Sequence, residues 1–244
     1  MSIADRLLDA ARATSATLAP LRFAPPVAHV YDPLVYAWAP FEAYVRRFGD
    51  APRRVVLVGM NPGPYGMMQT GVPFGEVGAV RDWLGIEAPV ATPARMHPKR
   101  PIEGFACRRS EASGQRLWGW AAARFGSASR FFEEFFVLNW CPLVWLEAGG
   151  RNRTPQQLPA RELAAVASAC DAGLRAAVGA LGPEWAVGVG GFAARRIATA
   201  LAGGGFDRVR IGSVLHPSPA SPAANRGWAA QAERQLAELG VLRT

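Results

Sequence analysis

Four short valine-rich runs, at 54–58, 135–139, 186–189 and 209–215, constrain this chain more than any other feature. Each is short enough for a buried strand, and three of the four end in glycine or proline punctuation. Helical patterns lie between them. Ser113–Phe125 sets Leu117, Trp118, Ala121 and Ala122 on one face, and Ala160–Leu181 starts after Pro159 and stops at Gly182. Phe192–Leu201 and Gly227–Leu239 add two more. Strands alternating with helices require crossover connections, so the pattern predicts an α/β fold with a mostly parallel sheet covered on both faces. In such sheets ligands sit at the carboxyl ends of the strands, which directs attention to the residues just after each run. A length of 244 residues suits a single domain of this kind, expected over 1–244.

Outside these elements, Met1–Ala13 places Ile3, Leu7, Leu8 and Ala11 at helical spacing behind Ser2, an N-cap residue. Asp5, Arg6, Asp9 and Arg12 interrupt it, so it lacks the apolar core of a signal peptide. No uninterrupted apolar run reaches the length of about 20 residues that a bilayer span needs. Four prolines between Ile86 and Ile102 predict irregular structure there, and Gly149–Pro159 is a polar, turn-forming loop. Cys107, Cys141 and Cys170 are far apart and form no C-x-x-C pair, which suits a reducing compartment without a disulfide framework. His29, His97 and His216 are equally scattered, and no metal site is expected.

The charge balance is uneven: 27 basic residues against 19 acidic ones give +8, and Lys99 is the only lysine. Such an excess favours a polyanionic partner, most often nucleic acid or an anionic membrane, with a coding bias toward arginine, alanine, glycine and proline as the alternative. From Pro93 to Arg130 there are eight bases and two acids, so the excess concentrates beside proline-stiffened loops, as phosphate contacts require.

Three segments carry chemistry. After the first strand, Gly59–Glu76 reads GMNPGPYGMMQTGVPFGE. Its five glycines and three prolines specify a tightly shaped loop, because glycine permits positive φ and proline fixes φ. It lacks the Gly-Lys-Ser/Thr of a phosphate loop and the dinucleotide fingerprint. Phe74, expected on an exposed loop, and the amides of Asn61 and Gln69 are hard to explain in a mere connector. After the last strand, His216–Trp228 reads HPSPASPAANRGW, where three prolines stiffen a loop that His216 opens. A lone histidine is commonly a structural hydrogen-bonder, but this one sits where α/β enzymes place catalytic groups. In FVLNWCPL, Asn139 ends an apolar strand and either caps it or offers its amide to a ligand edge with one donor and one acceptor.

Together these segments resemble the single-strand-selective monofunctional uracil-DNA glycosylase family of the uracil-DNA glycosylase superfamily. The resemblance continues through CRRSEASGQRLWGW (Cys107–Trp120), GRNRTPQQLPA (Gly150–Ala160) and VGVGGFA (Val187–Ala193), covering the chain from about Arg53 onward. It implies a three-layer α/β/α sandwich around a four-stranded parallel sheet. The implied activity is removal of uracil and C5-modified uracils such as 5-hydroxymethyluracil from DNA, leaving an abasic site for base-excision repair. Base flipping and water attack would do this without a metal or organic cofactor. The implied partner is DNA, single- or double-stranded, with no membrane, a monomeric chain and a cytoplasmic setting.

The resemblance also implies residue roles. Asn61 matches the residue that positions the attacking water, which an amide orients rather than deprotonates. His216 matches the group that hydrogen-bonds O2 of the base as charge develops there. Phe74 matches the stacking ring, and Asn139 the amide that reads N3 and O4. Gly63 leaves room for a C5 substituent, Met60 contributes its backbone amide, and Met67 and Met68 line the pocket or fill core. Ser218, Pro219, Ala220 and Ser221 match the loop that wedges into the opened duplex, with Arg226 beside it. Ala220 departs from the vertebrate pattern, which carries arginine there. Gly150, Arg151, Asn152 and Arg153 form the second DNA-facing element. Two other readings fit the same residues: a relative shifted toward deaminated purines such as xanthine, and a DNA-binding module without catalysis.

Overall fold

A computed structural model describes residues 1–242. Its elements are α1 (Ile3–Leu18), β1 (Val27–Tyr31), α2 (Pro33–Tyr36), α3 (Trp38–Phe48), β2 (Val55–Gly59), α4 (Met67–Thr70), α5 (Ala112–Phe125) and α6 (Ala128–Glu134). They continue with β3 (Phe135–Asn139), β4 (Val144–Glu147), β5 (Asn152–Arg153), α7 (Ala160–Leu181), β6 (Trp185–Val189), α8 (Gly191–Leu201), β7 (Arg210–Val214), α9 (Pro222–Asn225) and α10 (Trp228–Glu238).

The four expected strands form one parallel sheet in the order β3-β2-β6-β7. β2 and β6 lie at its centre and are buried along their whole length, which is why they read as unbroken apolar runs. One helical layer contains α1, α7 and α8, the other α5, α6 and α10. That arrangement follows from right-handed crossovers. The chain leaves β2 for β3 in one direction and leaves β3 for β6 and β7 in the other, so the connecting helices fall on opposite faces. Ser2 caps α1 as its sequence predicts, accepting the Asp5 amide while Asp5 returns the bond.

The edge strand β3 is covered from the side. Tyr44 donates its hydroxyl to the Val137 carbonyl at 2.9 Å and accepts the Val137 amide at 3.3 Å, which satisfies backbone groups an open edge would expose. Around it Phe48 and Phe132 stack at 4.1 Å, and Phe131 stacks on Phe135 at 5.1 Å.

α7 is long and apolar enough to cross a membrane by length and composition, with a mean hydropathy of 1.3 over its most apolar window. Its Val166, Cys170, Leu174 and Val178 are instead buried against the core of the domain.

A second, antiparallel sheet, β1-β4-β5, was not expected. Tyr31 pairs with Val144, and Trp145 with Arg153. The segment 149–159, expected as a plain loop, therefore contains a strand and a short 3-10 turn at Pro155–Gln157. The proline-rich stretch 86–102 is fastened to this sheet. The His97 amide donates to the Tyr31 hydroxyl at 2.7 Å, and the His97 ring meets the Glu147 carbonyl at 3.0 Å. Thus the small sheet fixes both the 86–102 stretch and the 149–159 segment.

Candidate active site

Register sets the first feature of the site. β2 and β3 run in parallel so that Gly59 pairs with Asn139 at their carboxyl ends. An ideal Cβ on Gly59 would lie 2.3 Å from Asn139 Oδ1 and 2.6 Å from the Phe74 ring. Only glycine lets the amide and the ring close together over the strand end. Asn139 also directs Nδ2 to the Met67 sulfur at 3.2 Å, a weak bond that a better acceptor readily displaces.

Phe74 is buried, 6% exposed, and not on an exposed loop as its sequence context suggests. Among the described residues it is the one non-glycine with positive φ, at 53°. Such a backbone is held by its surroundings. Here the Trp118 indole donates to the Phe74 carbonyl at 3.0 Å, and Gly114 allows α5 to approach so closely that a Cβ there would sit 2.2 Å from that carbonyl oxygen.

Asn61 is half-buried and donates Nδ2 to the Leu143 carbonyl at 3.1 Å. That bond fixes the amide so that Oδ1 is the atom left to accept from a water. Leu143 directly precedes β4, so the small sheet positions this anchor. Met60, also half-buried, accepts the Cys141 amide on its carbonyl at 3.0 Å.

His216 lies two residues beyond β7, its ring centroid 6.3 Å from that of Phe74. Burial pushes its imidazole below the ordinary value, so the ring is neutral at neutral pH and offers one N–H and one lone pair. Gly190, with φ of 96°, backs it; a Cβ there would lie 3.1 Å from His216 Cβ. The preceding Leu215 is pinned by Gln235 through its amide at 2.8 Å and by Trp228 through its carbonyl at 2.6 Å. Asn61, Phe74, Asn139 and His216, named from three separate segments, thus converge on the carboxyl edge of the parallel sheet.

The loop after His216 is braced from below. Arg116 of α5 donates to the carbonyls of Pro217 at 3.0 Å and Ser218 at 3.3 Å and to Asn225 Oδ1 at 2.8 Å. Asn225 in turn donates to the Pro219 carbonyl at 2.9 Å. The Ser218 hydroxyl accepts the Ala220 amide, and Ser221 caps α9. Pro219 and Ala220 form the exposed tip, with Arg226 exposed beyond it.

The second segment expected to face DNA divides. Arg151 is exposed, and no carboxylate pairs with it among the described residues. Arg153 is committed internally: it pairs with Glu147 at 2.7 Å and donates to the Gln157 carbonyl at 2.7 Å. Asn152 is half-buried in β5. Gly150 is buried with φ of 84° and gives its carbonyl to Arg100 at 2.8 Å. Met67 touches the site through Asn139, whereas Met68 packs with Tyr31, Tyr36 and Leu146 as core filling.

Two features escaped the sequence reading. Glu111 places its carboxyl against Gly63, where an ideal Cβ would lie 2.0 Å from Oε2. The space beside Gly63 is therefore not open, as its lack of a side chain suggests, but walled by a carboxyl group. The second is a basic rim. Arg100 and Arg109 both donate to the Tyr65 hydroxyl, and their guanidinium groups lie 5.4 and 5.1 Å from its ring centroid. Two cations on one hydroxyl oxygen, with Lys99 and Glu103 on the same rim, create a positive patch beside the glycine-rich loop after β2. By contrast Arg116 is consumed by the loop, and Arg124 by Glu233. Among the described residues no three His, Cys, Asp or Glu side chains converge as a metal site requires.

The sequence profile of the Uracil DNA glycosylase superfamily matches residues 46–237. A single-strand selective monofunctional uracil DNA glycosylase of Mus musculus is 48% identical over 241 residues, covering 99% of this chain and 86% of the mouse protein. The same-named protein of Rattus norvegicus is 47% identical over the same span. The crystal structure of wild-type SMUG2 of Pedobacter heparinus shares the fold, with a TM-score of 0.71 over 98% of this chain and 97% of that one, at 17% identity.

Proposed function

The chain belongs to the uracil-DNA glycosylase superfamily, and we propose from that membership and from the site that it is a monofunctional uracil-DNA glycosylase of base-excision repair. The observation that carries the reading is the convergence of Asn61, Phe74, Asn139 and His216 on one strand edge, with Phe74 held at positive φ to face His216.

The target base must leave the stack before any chemistry, because its glycosidic bond is inaccessible within the duplex. The extruded uracil stacks on Phe74. Asn139 offers Oδ1 to N3–H and Nδ2 to O4, a pattern that cytosine reverses. The C1′–N1 bond then breaks, its electron pair moving onto the base and spreading to O2, where the neutral His216 donates its N–H. The amide of Asn61 orients a water onto the electron-poor C1′; the water oxygen bonds to carbon and its proton leaves to solvent or to the departing uracil anion. An amide suffices for this because the leaving anion delocalises its charge, unlike the sugars for which glycoside hydrolases use paired carboxylates.

We read Gly63 together with Glu111. A C5 substituent directed at Gly63 meets a carboxyl group. A hydroxymethyl group donates to that wall, whereas a methyl group desolvates it without compensation. The reading therefore favours 5-hydroxymethyluracil over thymine as a second substrate.

For DNA contact the reading uses cationic side chains with no carboxylate partner among the described residues: the exposed Arg109 and Lys99 with the half-buried Arg100 at one side of the mouth, the exposed Arg151 beside them and the exposed Arg226 at the other. Pro219 and Ala220, braced by Arg116 beneath, form the wedge. The chain acts as a monomer in this reading. Its three buried free thiols suit a reducing, DNA-containing compartment such as a bacterial cytoplasm.

The test is direct. Single- and double-stranded oligonucleotides carrying uracil, 5-hydroxymethyluracil, xanthine or thymine are incubated with the protein and then treated with alkali. Alkali-labile product from the uracil strands supports the reading. Product from xanthine strands alone would shift it to deaminated purines, and product from none would leave a DNA-binding module.

A further inference from the structure

Glu111 stands immediately before α5, where an acidic or hydroxyl side chain ordinarily turns back to cap the first helical amides. No side-chain cap bond forms there. The carboxyl crosses instead to the segment after β2, where it accepts the Tyr65 amide at 3.4 Å and lies close to the Gly66 amide, which donates to the Gly63 carbonyl at 3.4 Å. An ideal Cβ on Gly63 would fall 2.0 Å from Oε2, and one on Gly66 would fall 2.5 Å from Oε1. Two residues without side chains and two backbone donors thus form a cradle shaped for an anion, and Glu111 is the anion that fills it.

We propose that Glu111 is a positioning residue for the glycosylase reaction: its carboxylate, seated in the cradle of Gly63 and Gly66, fixes the segment that presents Asn61 to the attacking water. The proposal rests on the role of Asn61 given above. Asn61 is then held from two sides, by its own bond to the Leu143 carbonyl and by the backbone two residues further on. Such control matters because a misplacement of about 1 Å costs an enzyme roughly 100-fold in rate.

The cradle also makes the site sensitive to protons. Burial, with a smaller contribution from the like charge of Glu76, pushes the Glu111 carboxyl up to about 7, against the two neighbouring amides that favour its charged form. The other charged groups on neighbouring segments turn elsewhere: Arg100 and Arg109 to the Tyr65 hydroxyl, Arg116 to the carbonyls of Pro217 and Ser218. An ionised carboxylate accepts the Tyr65 amide through a charge-assisted bond and attracts the Gly66 amide beside it. A protonated one loses acceptor capacity and carries an O–H that needs its own partner. The cradle therefore loosens as pH falls through about 7.

Two readouts on the full-length chain test this. The first follows the Tyr65 and Gly66 amides by heteronuclear NMR between about pH 5.5 and 8.5. The second is single-turnover uracil excision over the same range. In the wild type the two amides titrate with a midpoint near 7, and excision falls along the same curve. Glu111→Gln removes that midpoint from both and runs roughly 10- to 100-fold below the wild-type plateau, with unchanged affinity for an abasic-site oligonucleotide. A steric arm covers the case in which that variant folds poorly: Gly63→Ala lowers excision, and adding Glu111→Ala recovers part of the loss.

Amides that do not titrate overturn the proposal, as does Glu111→Gln with the wild-type rate and pH profile, whatever its melting temperature. So does a Gly63→Ala defect that Glu111→Ala leaves untouched. Failure of the underlying reading looks different: a wild-type protein that releases no uracil at any pH while both amides still titrate.

Discussion

The Phe74 and His216 rings face each other with centroids 6.3 Å apart and planes tilted by 40°. One ring comes from the loop after the second strand of the sequence, the other from the loop after the last, and neither position is set by its own segment alone. Phe74 is held by Trp118 and Gly114 of α5, and His216 by Gly190, Gln235 and Trp228 through its neighbours. In the proposed reading the extruded base stacks on Phe74 and turns its O2 edge toward His216.

Removing the stacking ring is the first expectation. Aromatic stacking on a nucleobase contributes about 1–3 kcal/mol, so Phe74→Ala lowers kcat/KM roughly 5- to 150-fold. Trp118→Phe keeps much of the volume but removes one of the two bonds that the Phe74 carbonyl accepts, the Glu76 amide keeping the other at 2.8 Å. It costs about 0.5–1.5 kcal/mol of stability by urea denaturation, and it lowers excision because the positive-φ turn relaxes.

The support behind the histidine gives a second expectation. Gly190 adopts φ of 96° and lies against His216. Gly190→Ala strains the backbone and pushes the ring, so kcat falls by about 10-fold or more while affinity for abasic DNA holds. Loss of affinity with kcat intact would show that Gly190 serves DNA contact instead.

Acid acts on His216 in a definite direction. Its folded value lies below the ordinary 6.5 because burial disfavours the charged ring. Below that ordinary value the unfolded chain takes up a proton that the folded chain refuses. Stability is therefore fully present above about 6.5 and declines as pH falls through it. Urea denaturation of His216→Asn against wild type, at about pH 7.5 and 5.5, isolates this part: the variant loses less stability on acidification. An equal loss in both proteins would contradict the burial of the ring.

Salt dependence separates the arginines. Each phosphate contact contributes about 0.9 to the slope of log affinity against log salt on duplex DNA and about 0.7 on single strands. Arg109→Gln and Arg151→Gln each reduce the slope by about that amount. Arg153→Gln leaves it unchanged, because Glu147 already neutralises that guanidinium; its effect falls on stability.

Much of this organisation is legible in the chain itself. The runs that became β2, β3, β6 and β7 announce themselves because central parallel strands are apolar on both faces. The helix at Ala160–Leu181 is bounded by Pro159 and Gly182 as punctuation predicts. The small sheet was hidden, since β1 is short, half-exposed and paired with a strand more than a hundred residues away. Phe74 looked exposed because its loop is rich in glycine and proline, whereas α5 folds over it. Arg153 looked free because its partner Glu147 sits across a turn. Glu111 had a faint signal: it is one of two acids in a strongly basic stretch, placed just before a helix. Its direction, away from that helix and into the glycine loop, depends on tertiary packing that no local pattern encodes.

The central claim is that Asn61 and His216 cut one glycosidic bond and leave the DNA backbone whole. The measurement that tests it most directly is mass spectrometry of a uracil-bearing single strand after incubation with the wild type and with His216→Ala, before any alkali. The account predicts free uracil and a full-length abasic strand from the wild type, with His216→Ala slower by ~100-fold or more. An unchanged strand in both samples, a strand already cut, or equal release by the two proteins would contradict it.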